Sequence, residues 1–117
     1  MRKEERLTKR ADFSAVYQNG KSLADRYLVL YYFPRPIEGV KVGISVSRKV
    51  AGSVGRNRLK RLVREAWRAQ SHRVISGYHL IVIVRVAGRN ATYAQIVRSL
   101  EKLTKKAGLF CNESIIS

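Results

Sequence analysis

The chain has little acid. Eight Asp and Glu stand against 24 Lys and Arg in 117 residues, a formal net charge of +16. Apart from Glu65, the carboxylates are Glu4, Glu5, Asp12, Asp25, Glu38, Glu101 and Glu113, and no two fall at a spacing that sets a pair on one helix face or strand end. A two-metal nuclease needs several converging carboxylates, so that chemistry is not expected of the protein. Histidine is equally scarce. His72 and His79 fall in different elements with no acid near them in sequence, so no general base held by an orienting carboxylate is legible. No catalytic or metal-ligating residue is assigned. The single cysteine, Cys111, excludes an intrachain disulfide and a multi-cysteine zinc site, and it fits an ordinary thiol in a reducing cytoplasm. No apolar run approaches the ~18–20 residues that span a bilayer, so no membrane partner is expected. Met1 to Arg10 is charged with no hydrophobic segment behind it, unlike a secretory signal.

What is present is cation and enough apolar residue to fold it. Hydrophobic residues make up 45% of the chain, which supports a real core and one domain over 1–117. A pI near 10.8 favours nucleic acid as partner. The charge concentrates in Arg56-Asn57-Arg58-Leu59-Lys60-Arg61-Leu62-Val63-Arg64-Glu65-Ala66-Trp67-Arg68, six cations and one carboxylate in thirteen residues. Leu59, Leu62, Val63, Ala66 and Trp67 fall at i, i+3, i+4, i+7 and i+8, the spacing of one buried helix face. At about 100° per residue, Asn57, Lys60, Arg61, Arg64 and Arg68 fall on the opposite side. Cations at these spacings repel by a few tenths of a kcal/mol per pair unless a polyanion covers them. Arginine can pair bidentately with phosphate or stack on a base, and Asn57 can read an edge or a sugar hydroxyl. A glycine-containing loop, Arg48–Gly55, leads into this helix and would bring backbone N–H groups toward a phosphate near residues 53–56.

The rest of the chain reads as alternating elements. Asp12 is placed to cap a first helix, Phe13, Val16 and Tyr17 share its face, and Gly20 suits its end. Residues 26–33 are aromatic and β-branched and read as a strand, or as the second of two if residues 21–33 divide. Pro34 to Gly39 is a turn. Val40, Val42, Ile44 and Val46 alternate with Lys41, Gly43, Ser45 and Ser47, a strand with one apolar face and one small, polar face. The basic helix follows, roughly 54–70. Tyr78 to Val86 is apolar on both sides, which suggests a central strand, and His79 is expected to be a polar-tipped core or cleft residue there. Thr92 can cap a last helix whose buried stripe is Tyr93, Ile96, Val97, Leu100 and Leu103, with Gly108 ending it. The expected fold is a two-layer α+β sandwich in α-β-β-β-α-β-α order, helices over one sheet face. Flexible ends are expected at 1–9 and 109–117.

Phe13 and Tyr17 on a helix and Tyr31 on a strand are spaced so that they could line one groove. Core packing is the plainer explanation of any one of them. The 26–33 strand, however, has aromatics on both faces, and partly exposed rings in a basic cleft stack unpaired bases.

Val46-Ser47-Arg48-Lys49-Val50, then Val54, Arg56-Asn57-Arg58-Leu59-Lys60-Arg61 and Arg64-Glu65, closely resemble the signature of the bacterial ribonuclease P protein subunit. Arg6, Leu7, Asp12, Phe13 and Gly20 follow the same order, and the similarity runs from about residue 6 to residue 105. The chain departs from the family's pattern at Ala51, Gly52 and Ser53. The resemblance implies a left-handed β-α-β crossover through the basic helix, an exception to the usual rule. It implies that a catalytic RNA using Mg²⁺ removes the 5′ leader of precursor tRNA, with the protein as a monomeric partner in a 1:1 cytoplasmic ribonucleoprotein. The RNA-facing residues would be Arg48, Lys49, Arg56, Asn57, Arg58, Lys60, Arg61, Arg64 and Arg68. Phe13, Tyr17 and Tyr31 would line the leader cleft, with hydroxyls from Ser45 and Ser47. Other readings of the residues are a ribosomal-type structural RNA-binding protein, a DNA-binding regulator or an independent nuclease. Strands separate the helices, which disfavours a helix-turn-helix regulator.

Overall fold

The computed structural model describes residues 5–111. The elements are α1 (Arg10–Asn19), β1 (Lys21–Ala24), β2 (Leu28–Pro34), β3 (Val40–Ser45), α2 (Ser53–Gln70), β4 (Tyr78–Val84) and α3 (Tyr93–Lys106). This is the α-β-β-β-α-β-α order, with two strands in 21–34. Single 3₁₀ turns follow α2 and β4, at Ser71–Arg73 and Val86–Gly88.

The sheet order is β1-β2-β4-β3, antiparallel except for the β3–β4 pair that α2 bridges. β4 is central, as its two apolar faces predict. β1 and β2 form a hairpin whose turn is tied by Asp25. The Asp25 carboxylate accepts the backbone N–H groups of Tyr27 and Leu28, each at 2.9 Å, and the Ser99 hydroxyl at 2.6 Å. Burial alone would raise this carboxyl, but those hydrogen bonds and the Lys102 ammonium hold it below its ordinary value.

Strand alternation sends Leu28, Leu30, Val42, Leu80, Val82 and Val84 to one face. There they pack against Leu59, Val63, Ala66 and Trp67 of α2 and Ile96, Leu100 and Leu103 of α3. Sheet and paired helices make the two-layer sandwich. α1 does not join them. It lies on the opposite face, where Leu7, Val16 and Ile81 form a second, smaller core with Phe13, Tyr31, Phe33 and Ile83 around it. The expectation of helices on one face only is corrected: Val16 needs an apolar seat, and the second apolar side of β4 supplies it.

Smaller corrections have local causes. Lys9, not Asp12, is the N-cap of α1; it gives no side-chain hydrogen bond, and Asp12 sits in the first turn. Carboxylate there still favours the positive helix end. Gly20 closes α1 without a left-handed φ. A side chain at this position would put Cβ 2.6 Å from the Val16 carbonyl oxygen and 2.8 Å from that of Tyr32. In α2, Leu62 is only half-buried, at the margin of the stripe. Thr92 does cap α3, in a reciprocal capping box with Gln95. Tyr93 is 42% exposed rather than buried, because it opens the helix beside Glu65 of α2 and reaches that residue's carbonyl at 3.5 Å.

Both described ends make contacts with the body of the domain. Leu7 is buried and its N–H donates to the Val42 carbonyl at 3.0 Å, so the segment before α1 lies along the outer edge of β3. Leu109 is buried too, and its carbonyl accepts the Ile75 N–H at 2.7 Å. Of the ends expected to be flexible, 1–9 and 109–117, Leu7 and Leu109 are thus packed against the domain; residues 1–4 and 112–117 lie outside the described residues. Among the described residues no helix is long and apolar enough to cross a membrane.

Candidate nucleic-acid interface

α2 presents its charge as the periodicity predicts. Leu59, Val63, Ala66 and Trp67 are at most 3% exposed, which fixes the rotation of the helix about its axis. Asn57, Arg58, Arg61 and Arg68 then face outward, and Arg56, Lys60 and Arg64 sit half-buried at the flanks. No ion pair joins any of these cations to a carboxylate among the described residues. The preceding loop is pinned by Val46 and Val50, both buried in the main core, so Arg48 and Lys49 project between two anchors. Gly55 belongs to the first helical turn, not to the loop.

Two arginines also serve the protein itself. The Arg56 guanidinium donates to the Ala51 carbonyl at 3.0 Å, bracing the loop against the helix it enters. Arg58 donates to the Arg89 carbonyl, also at 3.0 Å, and ties α2 to the loop before α3. Each keeps donors free for an anion.

The three rings converge. Tyr17 and Tyr31 meet edge to face at 5.0 Å between centroids, and Phe13 lies 6.5 Å from Tyr17. Gly43 makes this possible: a Cβ there would lie 2.5 Å from the Phe13 Cζ, so the ring rests directly on the β3 backbone. Tyr17 is 41% exposed, while Phe13 and Tyr31 are half-buried. Burial and, secondly, the neighbouring Tyr31 push the Tyr17 phenol above its ordinary value, so it stays neutral. On the same sheet face the pairing aligns Ser45, Ile83 and Val29 in one row, all half-buried. Ser45 is thus on the floor beside the rings. Ser47 lies beyond the end of β3, exposed in the loop.

Two features go beyond the residues singled out from the sequence. Lys60 and Arg64 share a cleft of about 210 Å³ with Phe13, Gly43 and Leu7, so the cationic helix and the ring-lined groove meet across the β3 edge. Val54 is 84% exposed beside Asn57, Arg58 and Arg61. An isolated apolar side chain among cations cannot bind phosphate and offers a surface for a ribose or base. Its exposure follows from its place outside the i, i+3, i+4 stripe, a signal the sequence does carry.

Among the described residues no group of three or more His, Cys, Asp and Glu is arranged to hold a metal ion. His79, buried at 5% exposure, is a core residue on the α1 face.

Fold and surface together fit an RNA-binding α+β domain, with one cationic helix and one partly exposed cluster of rings. The family pattern described as Ribonuclease P matches residues 1–108, and the chain belongs to that family. It is 44% identical over 107 residues to the ribonuclease P protein component of Clostridium kluyveri, covering 90% of this chain and 96% of that one. The RNase P protein of Staphylococcus aureus superposes with a TM-score of 0.84 at 36% identity, covering 92% and 98% of the two chains. That of Thermotoga maritima gives 0.80 at 31% identity, covering 87% and 96%. The protein is a subunit of the endoribonuclease P holoenzyme, whose role is processing of the tRNA 5′ end, and its partner is the ribonuclease P RNA.

Proposed function

We propose that α2 and the Arg48–Gly52 loop hold the catalytic RNA, while the groove between α1 and the sheet takes the 5′ leader of precursor tRNA. The observation that carries this reading is the meeting of the two surfaces at the β3 edge. Lys60 and Arg64 border the same cleft as Phe13, so a strand stacked on the rings runs beside cations continuous with the RNA-facing helix. An unpaired leader has bases free to stack, whereas the paired body of a tRNA does not. Ser45 supplies a hydroxyl to the floor of the groove and Ser47 one to its rim. The charge of α2 offsets phosphate repulsion between two RNAs brought together.

In this reading the protein supplies no reacting group. Mg²⁺ serves the RNA, the ribonucleoprotein is 1:1 and the compartment is the cytoplasm. The test is cleavage of precursor tRNA by purified protein alone, by the cognate RNA alone and by both, across a Mg²⁺ series. Protein alone should be inactive, and its addition should raise RNA activity most at low Mg²⁺. Correct 5′ cleavage by RNA-free protein would overturn the reading.

A further inference from the structure

The cleft at the β3 edge holds one cation that neither the α2 interface nor the ring cluster includes. Arg6 stands on the segment before α1 and lines that cleft of about 210 Å³ together with Thr8, Phe13, Lys60 and Arg64. Its position is fixed by the backbone. Arg6 forms a parallel bridge with Val42, and the next residue, Leu7, is 4% exposed and donates its N–H to the Val42 carbonyl at 3.0 Å. The bridge is isolated, so among the described residues no strand covers β3 beyond Val42. The edge stays open beside Gly43, on which the Phe13 ring rests. The Arg6 side chain itself is exposed.

Three cations thus converge on one cleft from two separate parts of the chain, and no carboxylate lines it. Lys60 and Arg64 are one turn apart on α2, and among the described residues no ion pair joins any of the three to an acid. Like charges gathered this way repel until an anion joins them. Arginine and lysine donate hydrogen bonds and accept none, so the anion must bring the acceptors. At about 210 Å³ the cleft is smaller than the ~300–1,000 Å³ of pockets that enclose a whole ligand. It suits one sugar-phosphate unit of an extended strand. Phe13 decides which strand, because its ring belongs both to this cleft and to the groove.

We propose that Arg6 is a substrate-binding residue that, with Lys60 and Arg64, clamps one backbone phosphate of the single-stranded 5′ leader, next to the base stacked on the rings. The proposal rests on the groove reading given above. It adds a contact to the leader backbone at a fixed distance from the rings, and such a contact is blind to leader sequence.

The test uses the assembled holoenzyme, with precursor tRNA and mature tRNA as ligands, and wild type, R6Q and K9Q as proteins. R6Q removes the charge and leaves the backbone bridge in place. Lys9 is an exposed cation of the same segment that does not line the cleft. R6Q should bind precursor tRNA about 5-fold more weakly, the scale of one exposed ion pair. Its log–log salt slope should be shallower by about 0.7, one single-strand phosphate. Its affinity for mature tRNA and for the catalytic RNA should match wild type, and K9Q should match wild type throughout. Equal loss for both ligands, loss of catalytic-RNA affinity, equal loss in K9Q, or no loss in folded R6Q would overturn the proposal. A second measurement needs no variant to fold. Precursor tRNAs carrying a single uncharged methylphosphonate at successive leader positions should weaken wild-type binding at one position, and R6Q should show no further loss there. A flat scan, or full additivity with R6Q at every position, would overturn the clamp. If Tyr17→Ala loses leader affinity and R6Q does not, the clamp falls and the groove stands; the reverse result removes the stacking and keeps the clamp.

Discussion

Tyr17→Ala separates a leader platform from a core residue most cleanly. Among the three rings Tyr17 is the one 41% exposed, and its main intramolecular contact is the edge-to-face approach to Tyr31. Losing such a pair costs about 0.5–1.5 kcal/mol, which lowers the melting temperature of a domain this size by several degrees without unfolding it. The binding cost is larger. Truncating a ring that stacks a base costs about 1–3 kcal/mol, or roughly 5- to 150-fold in affinity. The holoenzyme's dissociation constants for precursor tRNA and mature tRNA would be measured for wild type, Tyr17→Ala and Tyr17→Phe. Only the leader-bearing substrate should weaken, and Tyr17→Phe, which keeps the ring, should restore most of the affinity. Equal loss for both substrates, or no loss in a folded variant, would refute the groove. Phe13 and Tyr31 are poorer probes because both pack in the smaller core, so their truncation mixes stability with binding.

The faces of α2 give a paired prediction: Leu59→Ala, fully buried, should cost about 2–5 kcal/mol in urea unfolding, whereas Arg68→Ala should leave the urea midpoint unchanged and weaken catalytic-RNA binding. Similar destabilisation by both would mean the helix is rotated from the arrangement described. His79 predicts a pH dependence. Burial lowers its imidazole, the Asp12 carboxylate opposes this, and Arg35 and Lys41 lower it again, with a net value below the ordinary 6.5. The unfolded chain therefore binds the proton first, so stability present above about pH 6.5 declines as pH falls toward the folded value. Urea midpoints at about pH 7.5 and 5.5 should differ for wild type and converge in His79→Phe; a pH-independent wild type would contradict the assignment.

Periodicity made the main elements legible because each rests on a local pattern. The α2 stripe, the both-sided apolar β4 and the Thr92 cap are all written within a turn or two of chain. Position relative to the sheet is not local. Nothing in Phe13, Val16 and Tyr17 says which face of a sheet still unformed will receive them, so the sequence alone does not place α1. The small face of β3 was visible as Lys41, Gly43, Ser45, but only packing shows that Gly43 is small because Phe13 lies on it. Residues 5–7 are too few for any period, and their pairing to the β3 edge left no signal. In the cationic arc, sequence placed the charges correctly, yet it could not show Lys60 and Arg64 turning toward the groove.

In the proposed reading the two faces of the sheet divide the work, and the division explains why the rings stay open to a base. A ring that stacks a base must keep a face in solvent, so it cannot sit in a well-filled core. The α2–α3 face is such a core, with seventeen buried residues, and it fixes the sheet and the rotation of the cationic helix. Among the described residues the other face has a hydrophobic core of just three buried side chains, Leu7, Val16 and Ile81, with His79 also buried on that face. α1 is held there by close backbone approach as much as by apolar area: Gly20 lets its end touch β2, and Gly43 lets Phe13 descend onto β3. A fuller core beneath α1 would bury Tyr17 and Tyr31 and close the groove. The thinness of that core is therefore the structural condition for stacking, while rigidity comes from the opposite side of the same four strands.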